Sequence, residues 1–351
     1  MSIKKVVVAG GGVLGSQIAL QSAYCGFDVT IWLRSEGSIE RAKPKLERFK
    51  NVYIEDLEAM KTDEMAYCRG LIKKDEISDY ITFPRPLEKY KWYKPILVMI
   101  LTAVLTLVFQ GILVLIFNAA VGHDFIMSIQ KGGYGVLNTE MGLIFTDLGV
   151  IVMILALFIA TKIVKDRPFS SYSSSRGGWN FKLYFKALII PLILYAIFQI
   201  ITLGGPKGDN HFSIPFFIVC LVLVPLQSIA EEYIYRGLIM QSFGSWFKIP
   251  VLAIIIQAVI FAVSHSYNIL GTMEILVFGI IAGIFTWKTD GLEVSSAFHT
   301  ANNLILFVLV MFGLRQSTSS PPLNDVILSI VFEIALFLVM YYVGKKTNWN
   351  R

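Results

Sequence analysis

Two adjacent acidic residues, Glu231 and Glu232, lie within an otherwise apolar stretch, LVLVPLQSIAEEYIYRGLIM. An ionised carboxylate at membrane depth costs about 2.5–3.5 kcal/mol even on insertion scales, so two in adjacent positions need a chemical reason. Arg236 follows Glu232 by four residues, the spacing at which helical side chains meet, with the acid on the favourable N-terminal side. This spacing predicts that Arg236 neutralises one carboxylate. The other remains available to activate water.

Two further polar clusters interrupt apolar segments, FAVSH at 261–265 and HTANN at 299–303. His299 and Asn303 are one helical turn apart and so share a face. The chain has only four histidines, and two of them lie in these clusters. Helical rise places Glu231, His265, His299 and Asn303 at overlapping depths, so three helices can bring them to one cavity.

These residue types can hydrolyse a peptide bond without a nucleophilic serine or cysteine. Glu231 would take a proton from water while His265 orients or shares it. His299 and the Asn303 amide would stabilise the oxyanion that forms when water attacks a carbonyl. In an alternative arrangement, Glu231, His265 and His299 hold a zinc ion that activates the water. The absence of the HExxH pattern favours the metal-free arrangement.

Each of these residues also has an ordinary structural interpretation. A membrane ion pair, a core histidine or an asparagine between helices needs no catalysis, and polar groups also line transport paths. Pro225, less than two turns before Glu231, predicts either a packing kink or a kink that admits water. The four polar residues taken together favour the catalytic interpretation.

Composition indicates a membrane protein. Of the 351 residues, 55% are hydrophobic, and the mean hydropathy is +0.63. Segments near the roughly 20 apolar residues that cross a bilayer predict a mainly α transmembrane bundle of about eight spans. They lie near 95–118, 141–164, 183–203, 212–235, 249–266, 270–287, 292–314 and 324–343.

The distribution of charge predicts the orientation of the bundle. Lysine and arginine concentrate before the first span, in the connection 162–182 and after the last span. The positive-inside rule therefore predicts a multi-pass protein of the cell membrane with cytoplasmic N- and C-termini. This bias explains the net charge of +6 without a nucleic-acid partner. The three cysteines have neither metal-like nor disulfide-like spacing.

The polar motifs carry a family resemblance. In order, EEYIYR (231–236), FAVSH (261–265) and HTANN (299–303) resemble the EExxxR, FxxxH and HxxxN motifs of the CPBP family. That family contains type II CAAX prenyl proteases and bacterial proteins linked to bacteriocin processing and self-immunity. The resemblance implies that Glu231 and His265 activate water and that His299 and Asn303 form the oxyanion hole. It implies supporting roles for Glu232 and Arg236, and it leaves metal- and glutamate-dependent mechanisms open.

The N-terminal segment has a different character. An apolar strand leads into GGGVLG, which contains Gly10, Gly12 and Gly15 in GxGxxG spacing, followed by a predicted helix (16–26) and strand (28–33). This order fits a turn that holds a pyrophosphate at a helix N-terminus. The segment resembles the cofactor-binding start of 3-hydroxyacyl-CoA dehydrogenases. Arg34 stands where an acidic residue is expected, which suits the 2′-phosphate of NADP.

These observations predict two domains. Residues 1–91 form a truncated Rossmann-like fragment with at most three strands, and residues 92–351 form the protease unit with its core motifs at 212–314. The leading prediction is an intramembrane endopeptidase that acts on a membrane-associated protein or peptide, either CAAX-type or a bacteriocin or leader. The alternatives are a non-catalytic immunity or interaction protein on the same scaffold and an NAD(P)-dependent dehydrogenase. We expect no functional NAD(P) binding and no firm metal beyond the zinc alternative.

Overall fold

A computed structural model describes residues 5–25, 27–60, 80–85, 87, 89–204 and 207–349. The chain divides into two compact units, Met1–Ser78 and Asp79–Arg351. The described part of the first unit contains two strands and two helices, and the described part of the second is helical. This agrees with the predicted class, a helical membrane bundle with a small N-terminal α/β segment.

The first unit is built around a glycine-rich turn. Its elements are β1 (Lys5–Ala9), α1 (Val13–Tyr24), β2 (Asp28–Trp32) and α2 (Glu36–Met60). The two strands are parallel, with Val7 opposite Thr30. Gly10 has a φ of +113°, a conformation that favours glycine. A Cβ on Gly15 would lie 2.1 Å from the Gly10 carbonyl oxygen. The turn from β1 into α1 therefore requires glycine at both positions.

One face of the described sheet carries exposed apolar side chains. The side chains of Val7 and Trp32 are 68% and 61% exposed. Two strands alone are fewer than an independently stable sheet needs. Among the described residues, this sheet therefore leaves apolar surface exposed.

The second unit consists of helices connected by short loops. They are α3 (Lys94–Ala120), α4 (His123–Gly132), a 3₁₀ turn (Gly133–Asn138), α5 (Glu140–Val164), α6 (Ser170–Ser173), α7 (Phe181–Ile201), α8 (Ile214–Glu232), a π-helix (Tyr233–Met240), α9 (Gln241–Phe247), α10 (Pro250–Val263), α11 (Ile269–Thr289), α12 (Glu293–Met311) and α13 (Leu323–Lys346). In the described part, seven helical segments are long and apolar enough to cross a membrane. These are α3, α5, α7, the continuous segment from α8 to α9, α11, α12 and α13.

Two of the predicted spans differ from the structure. The span predicted at 249–266 is α10, whose 14 residues are fewer than the roughly 20 that cross a bilayer. The span predicted at 212–235 does not end there, because helical structure continues from Ile214 to Phe247 over 34 residues. The widened π-helical turns begin directly after Glu232. Such turns are frequent at functional sites because they rotate side chains out of α-helical register.

Glycines allow α10 and α11 to pack closely. A Cβ on Gly279 would lie 3.1 Å from Ala258, and one on Gly283 would lie 3.0 Å from Ile254. As the residue number rises along α11 it falls along α10, so the two helices form an antiparallel hairpin. The close approach brings Phe261 of α10 against its neighbours on α11.

Helix α12 is the centre of the bundle. In its most apolar window 72% of residues are buried, against 6% for α3. The helix contacts α7 on one side and α8 and α11 on others. Polar side chains on α12 are therefore placed where several helices meet.

The second unit begins earlier than the predicted boundary at 91/92. Tyr80, Ile81 and Phe83 are fully buried in it. The Tyr80 hydroxyl donates to the carbonyl of Tyr172 at 2.5 Å, and the Gln241 amide donates to the Tyr80 carbonyl at 3.0 Å. Burial raises the pKa of Tyr80 well above its usual value, so this hydroxyl stays a donor. The three side chains thus belong to the base of the helical unit rather than to the fragment.

The packing of Ile81 against α9 can be tested by substitution of a glycine. A Cβ on Gly244 would lie 2.0 Å from Cγ2 and 2.6 Å from the carbonyl oxygen of Ile81. We expect Gly244→Ala to lower the free energy of unfolding by about 1–3 kcal/mol, because backbone must move to admit the methyl group. In the control Gly111→Ala, nothing lies within 4 Å of the new carbon. Thermal unfolding of the purified chain measures both, and equal midpoints would contradict the packing.

Candidate active site

A fully buried ion pair lies at the end of α8. Arg236 Nη1 donates to Glu232 Oε1 at 2.8 Å, and neither side chain is exposed. The guanidinium also lies over the ring of Phe261, 4.4 Å from its centroid, and Nη2 contacts the Gly279 carbonyl at 3.4 Å. The pairing predicted from the four-residue spacing is therefore present. Its contacts to α10 and α11 join three helical segments.

His299 of α12 connects the two glutamates. Its Nδ1 lies 2.8 Å from Glu232 Oε1, and its Nε2 lies 3.4 Å from Glu231 Oε2. The ring is 3% exposed and packs edge-on against Phe261 and Phe278. A proton on Nδ1 satisfies the Glu232 acceptor, and this turns Nε2 towards Glu231.

Glu231 has one committed and one available carboxylate oxygen. Oε1 accepts a hydrogen bond from Gln227 Nε2 at 2.9 Å. Oε2 faces His299 and His265, and it has no hydrogen-bond partner among the described residues. The residue as a whole is 8% exposed. An acceptor oxygen between two imidazoles, in a nearly dry setting, is a position where water binds and can be deprotonated.

His265 approaches the same oxygen from the end of α10. Its Nε2 lies 4.0 Å from Glu231 Oε2, and its side chain is 23% exposed. Because α10 ends at Val263, the His265 amide bonds to Ala262. The Phe261 carbonyl instead accepts from His265 Nδ1 at 2.7 Å. This bond fixes the ring and leaves Nε2 towards the site. His265 therefore lies just beyond the helix, not within a span as predicted.

Asn303 joins the site through Gln227. Its Nδ2 donates to Gln227 Oε1 at 3.0 Å and reaches Ser228 Oγ at 3.5 Å. Gln227 thus holds the amide of Asn303 with one end and the carboxylate of Glu231 with the other. Gln227 was not among the predicted site residues, although it stands four residues before Glu231, the same spacing that indicated the Glu232–Arg236 pair.

The predicted zinc arrangement does not fit these side chains. In the described part of the chain, no group of three or more His, Cys, Asp or Glu residues is arranged to hold a metal ion. Ligands about 2.0–2.1 Å from one tetrahedral zinc lie roughly 3.4 Å from each other. His265 Nε2 and Glu231 Oε2 are 4.0 Å apart. We therefore derive no step through a metal.

The glycine turn of the N-terminal unit has the shape of a phosphate site. Gly12 precedes α1 with extended backbone, and Gly15 fits only without a side chain. Arg34 follows β2 and is exposed. These residues fit a dinucleotide: backbone amides at the start of α1 would hold its pyrophosphate, and Arg34, after β2, would suit the 2′-phosphate of NADP.

Comparisons with known proteins support both parts of the chain. Residues 212–305 match the family model described as Type II CAAX prenyl endopeptidase Rce1-like. This stretch contains Glu231, His265, His299 and Asn303, and the match supports the class of membrane proteases. Residues 5–81 match the 3-hydroxyacyl-CoA dehydrogenase NAD binding domain. Both resemblances predicted from the sequence are confirmed.

A curated relative comes from Bacillus subtilis (strain 168). It bears the description "Uncharacterized protein YyaK" and is 27% identical over 168 residues. The alignment covers 44% of this chain and 56% of that protein. The chain thus spans little more than half the length of the relative it matches.

The buried ion pair yields a stability prediction. Arg236→Met leaves Glu232 buried without its main counter-charge, which should cost about 3–5 kcal/mol. Adding Glu232→Gln to Arg236→Met should recover much of that loss, because no unpaired charge remains. Arg85→Met, at an exposed position, is the control and should leave the unfolding midpoint almost unchanged. Equal losses in the single and double variants would contradict the pairing.

Proposed function

We propose that the helical unit is an intramembrane endopeptidase in which Glu231 activates water. One observation supports this most strongly, the free Oε2 of Glu231 between His299 and His265, 3.4 and 4.0 Å away. A water held there is close to a carboxylate that can accept its proton. The match of residues 212–305 to an endopeptidase family supports the same reaction class.

The charges of the site suggest how the histidine acts. Glu231 and Glu232 carry two negative charges, and Arg236 carries one positive charge. A protonated His299 makes the set neutral, which is the least costly state in a membrane. In that state Nδ1–H donates to Glu232, and Nε2–H is available to a developing oxyanion.

The reaction then follows with its protons balanced. Glu231 takes a proton from water as the water oxygen bonds to the peptide carbonyl carbon. The oxyanion accepts from His299 and from the Asn303 amide, whose second N–H makes only the long 3.5 Å contact to Ser228. When the C–N bond breaks, Glu231 returns the proton to the leaving amine, and His265 positions the water at the exposed side of the site. Glu232, Arg236 and Gln227 position these groups.

The substrate is a protein or peptide associated with the membrane. The match to a CAAX prenyl endopeptidase family supports a CAAX-type substrate. The bacterial character of the fused dehydrogenase-like fragment favours a bacterial leader or bacteriocin peptide. The clusters of lysine and arginine support an orientation in which both termini and the connection 162–182 are cytoplasmic. The alternative is a non-catalytic immunity or interaction protein that keeps the same polar residues.

Substitution of the general base separates catalysis from binding alone. Glu231→Gln keeps the size of the side chain and removes the proton acceptor, so cleavage should fall by about 10²–10⁴-fold. Comparing membrane peptides from cells with the wild type and with Glu231→Gln identifies substrates as peptides that accumulate uncleaved.

The matched control is Glu140→Gln, at the start of α5. It should leave the peptide profile as in the wild type. His265→Asn should reproduce the Glu231→Gln profile, because it removes the second side chain beside the water position. If a processing or immunity phenotype survived both active-site substitutions, the catalytic proposal would be wrong.

For the N-terminal unit we propose a remnant without dehydrogenase activity. Titration of the full-length chain with NADH and NADPH should give no saturable heat up to about 1 mM, weaker than roughly −4 kcal/mol of binding. Gly15→Val, which closes the turn onto the Gly10 carbonyl, serves as the reference for non-specific heat. Saturable binding in the wild type that is lost in Gly15→Val would overturn the proposal.

A further inference from the structure

The turn that carries His265 lies outside regular helical structure. Helix α10 ends at Val263, and α11 begins at Ile269. Between them, Ser266 has a φ of +51°, in the left-handed region that residues other than glycine rarely adopt. A backbone of this kind persists only where the surrounding structure holds it in place. The position of His265 therefore depends on side-chain contacts made by its neighbours.

Ser264 makes the first of these contacts. Its hydroxyl donates to the Phe261 carbonyl at 2.8 Å, and the same oxygen accepts from His265 Nδ1 at 2.7 Å. A carbonyl oxygen has two lone pairs, so these two bonds occupy both of them. Ser264 Oγ also lies 3.4 Å from His265 Nδ1. The two neighbouring side chains are thus anchored at one backbone oxygen.

Tyr235 connects this turn to the helical segment that carries Glu231. Its hydroxyl lies 2.8 Å from Ser264 Oγ. Because the Ser264 proton is committed to the Phe261 carbonyl, the tyrosine hydroxyl is the donor in this bond. The Tyr235 ring packs edge-on against Phe261, with 4.8 Å between centroids. Tyr235 stands in the π-helix, four residues after Glu231, so this bond joins the two sides of the site.

The main consequence of the bond between Tyr235 and Ser264 is geometric. Ser264 is exposed, and where water can replace a hydrogen bond, its loss adds little to the cost of folding. The bond does determine where the turn lies relative to the π-helix. His265 Nε2 is 4.0 Å from Glu231 Oε2, and this separation depends on the position of the turn.

We propose that Tyr235 and Ser264 are positioning residues that hold His265 Nε2 beside Glu231 Oε2. The inference rests on the proposed function of the site, in which His265 positions the attacking water. With Phe261 as the acceptor, the proton of a neutral imidazole stays on Nδ1, and Nε2 is left as an acceptor for that water. Tyr235 and Ser264 act through His265 and take no part in the proton transfers.

NMR of the imidazole nitrogens tests the positioning without any substrate. The chain has four histidines, and His265→Asn assigns the His265 signal in the purified full-length chain. The wild type should show the neutral His265 ring protonated on Nδ1. Tyr235→Phe, which keeps the aromatic ring, and Ser264→Ala should each lower the fraction protonated on Nδ1. Ser264→Thr keeps the hydroxyl at an exposed position and should preserve that fraction.

Steady-state cleavage of a synthetic peptide tests the consequence for the reaction. The peptide is one that accumulates uncleaved in cells with Glu231→Gln. Tyr235→Phe should lower kcat about 10-fold and leave KM within about twofold, because a displaced water slows the chemical step and not substrate binding. Ser264→Ala should have the same effect. The double variant should be no slower than either single variant, since the two hydroxyls act as one unit.

Tyr80→Phe is the matched control. It removes another tyrosine hydrogen bond, to the Tyr172 carbonyl at the base of the unit, and should change neither the His265 tautomer nor kcat. The proposal is wrong if the tautomer, or kcat in a wild type that cleaves, is unchanged in both Tyr235→Phe and Ser264→Ala. Equal losses of kcat in Tyr80→Phe would also overturn it. A tautomer that responds as expected in a chain that cleaves no peptide would refute the peptidase and support the positioning.

Discussion

The ion pair between Glu232 and Arg236 is the constraint on which the rest of the site depends. A buried charge is tolerated only where a partner and hydrogen bonds replace water. Glu232 Oε1 receives both Arg236 and His299 at 2.8 Å. Because Glu232 is occupied in this way, the neighbouring Glu231 is the carboxylate that keeps a free oxygen. The same contacts hold His299 in the orientation that directs Nε2 towards Glu231.

The site is assembled where regular helical hydrogen bonding stops. The π-helix begins directly after Glu232, and α10 ends two residues before His265. At the second of these points a backbone carbonyl, that of Phe261, becomes the partner that fixes a catalytic candidate. The positions of polar side chains near the middle of a membrane thus depend on interruptions of the α-helix. Such interruptions leave backbone groups able to form hydrogen bonds with side chains. The contacts of Arg236 with the Phe261 ring and the Gly279 carbonyl keep the π-helix close to α10 and α11.

Features that belong to a single helix could be predicted from the sequence. The Glu232–Arg236 pair and the shared face of His299 and Asn303 follow from helical spacing alone. Contacts between helices could not be predicted in this way: Glu232 and His299 are 67 residues apart.

Gln227 was missed because an amide in an apolar run lacks the large energetic cost that draws attention to a carboxylate. The end of α10 was predicted too late in the chain. Its residues are apolar up to Val263, and hydropathy does not indicate where helical hydrogen bonding ends. Residues 80–83 look like the end of the N-terminal fold, and only their burial assigns them to the helical unit.

The helical unit holds two adjacent carboxylates in different ways, and the surroundings indicate what each can do. Glu232 has a permanent cation, Arg236, as its partner. Glu231 has two imidazoles near its free oxygen, groups that can share a proton with it in the proposed reaction. Both glutamates are buried. The nature of the neighbouring groups, rather than burial, therefore distinguishes the paired carboxylate from the one proposed to be catalytic.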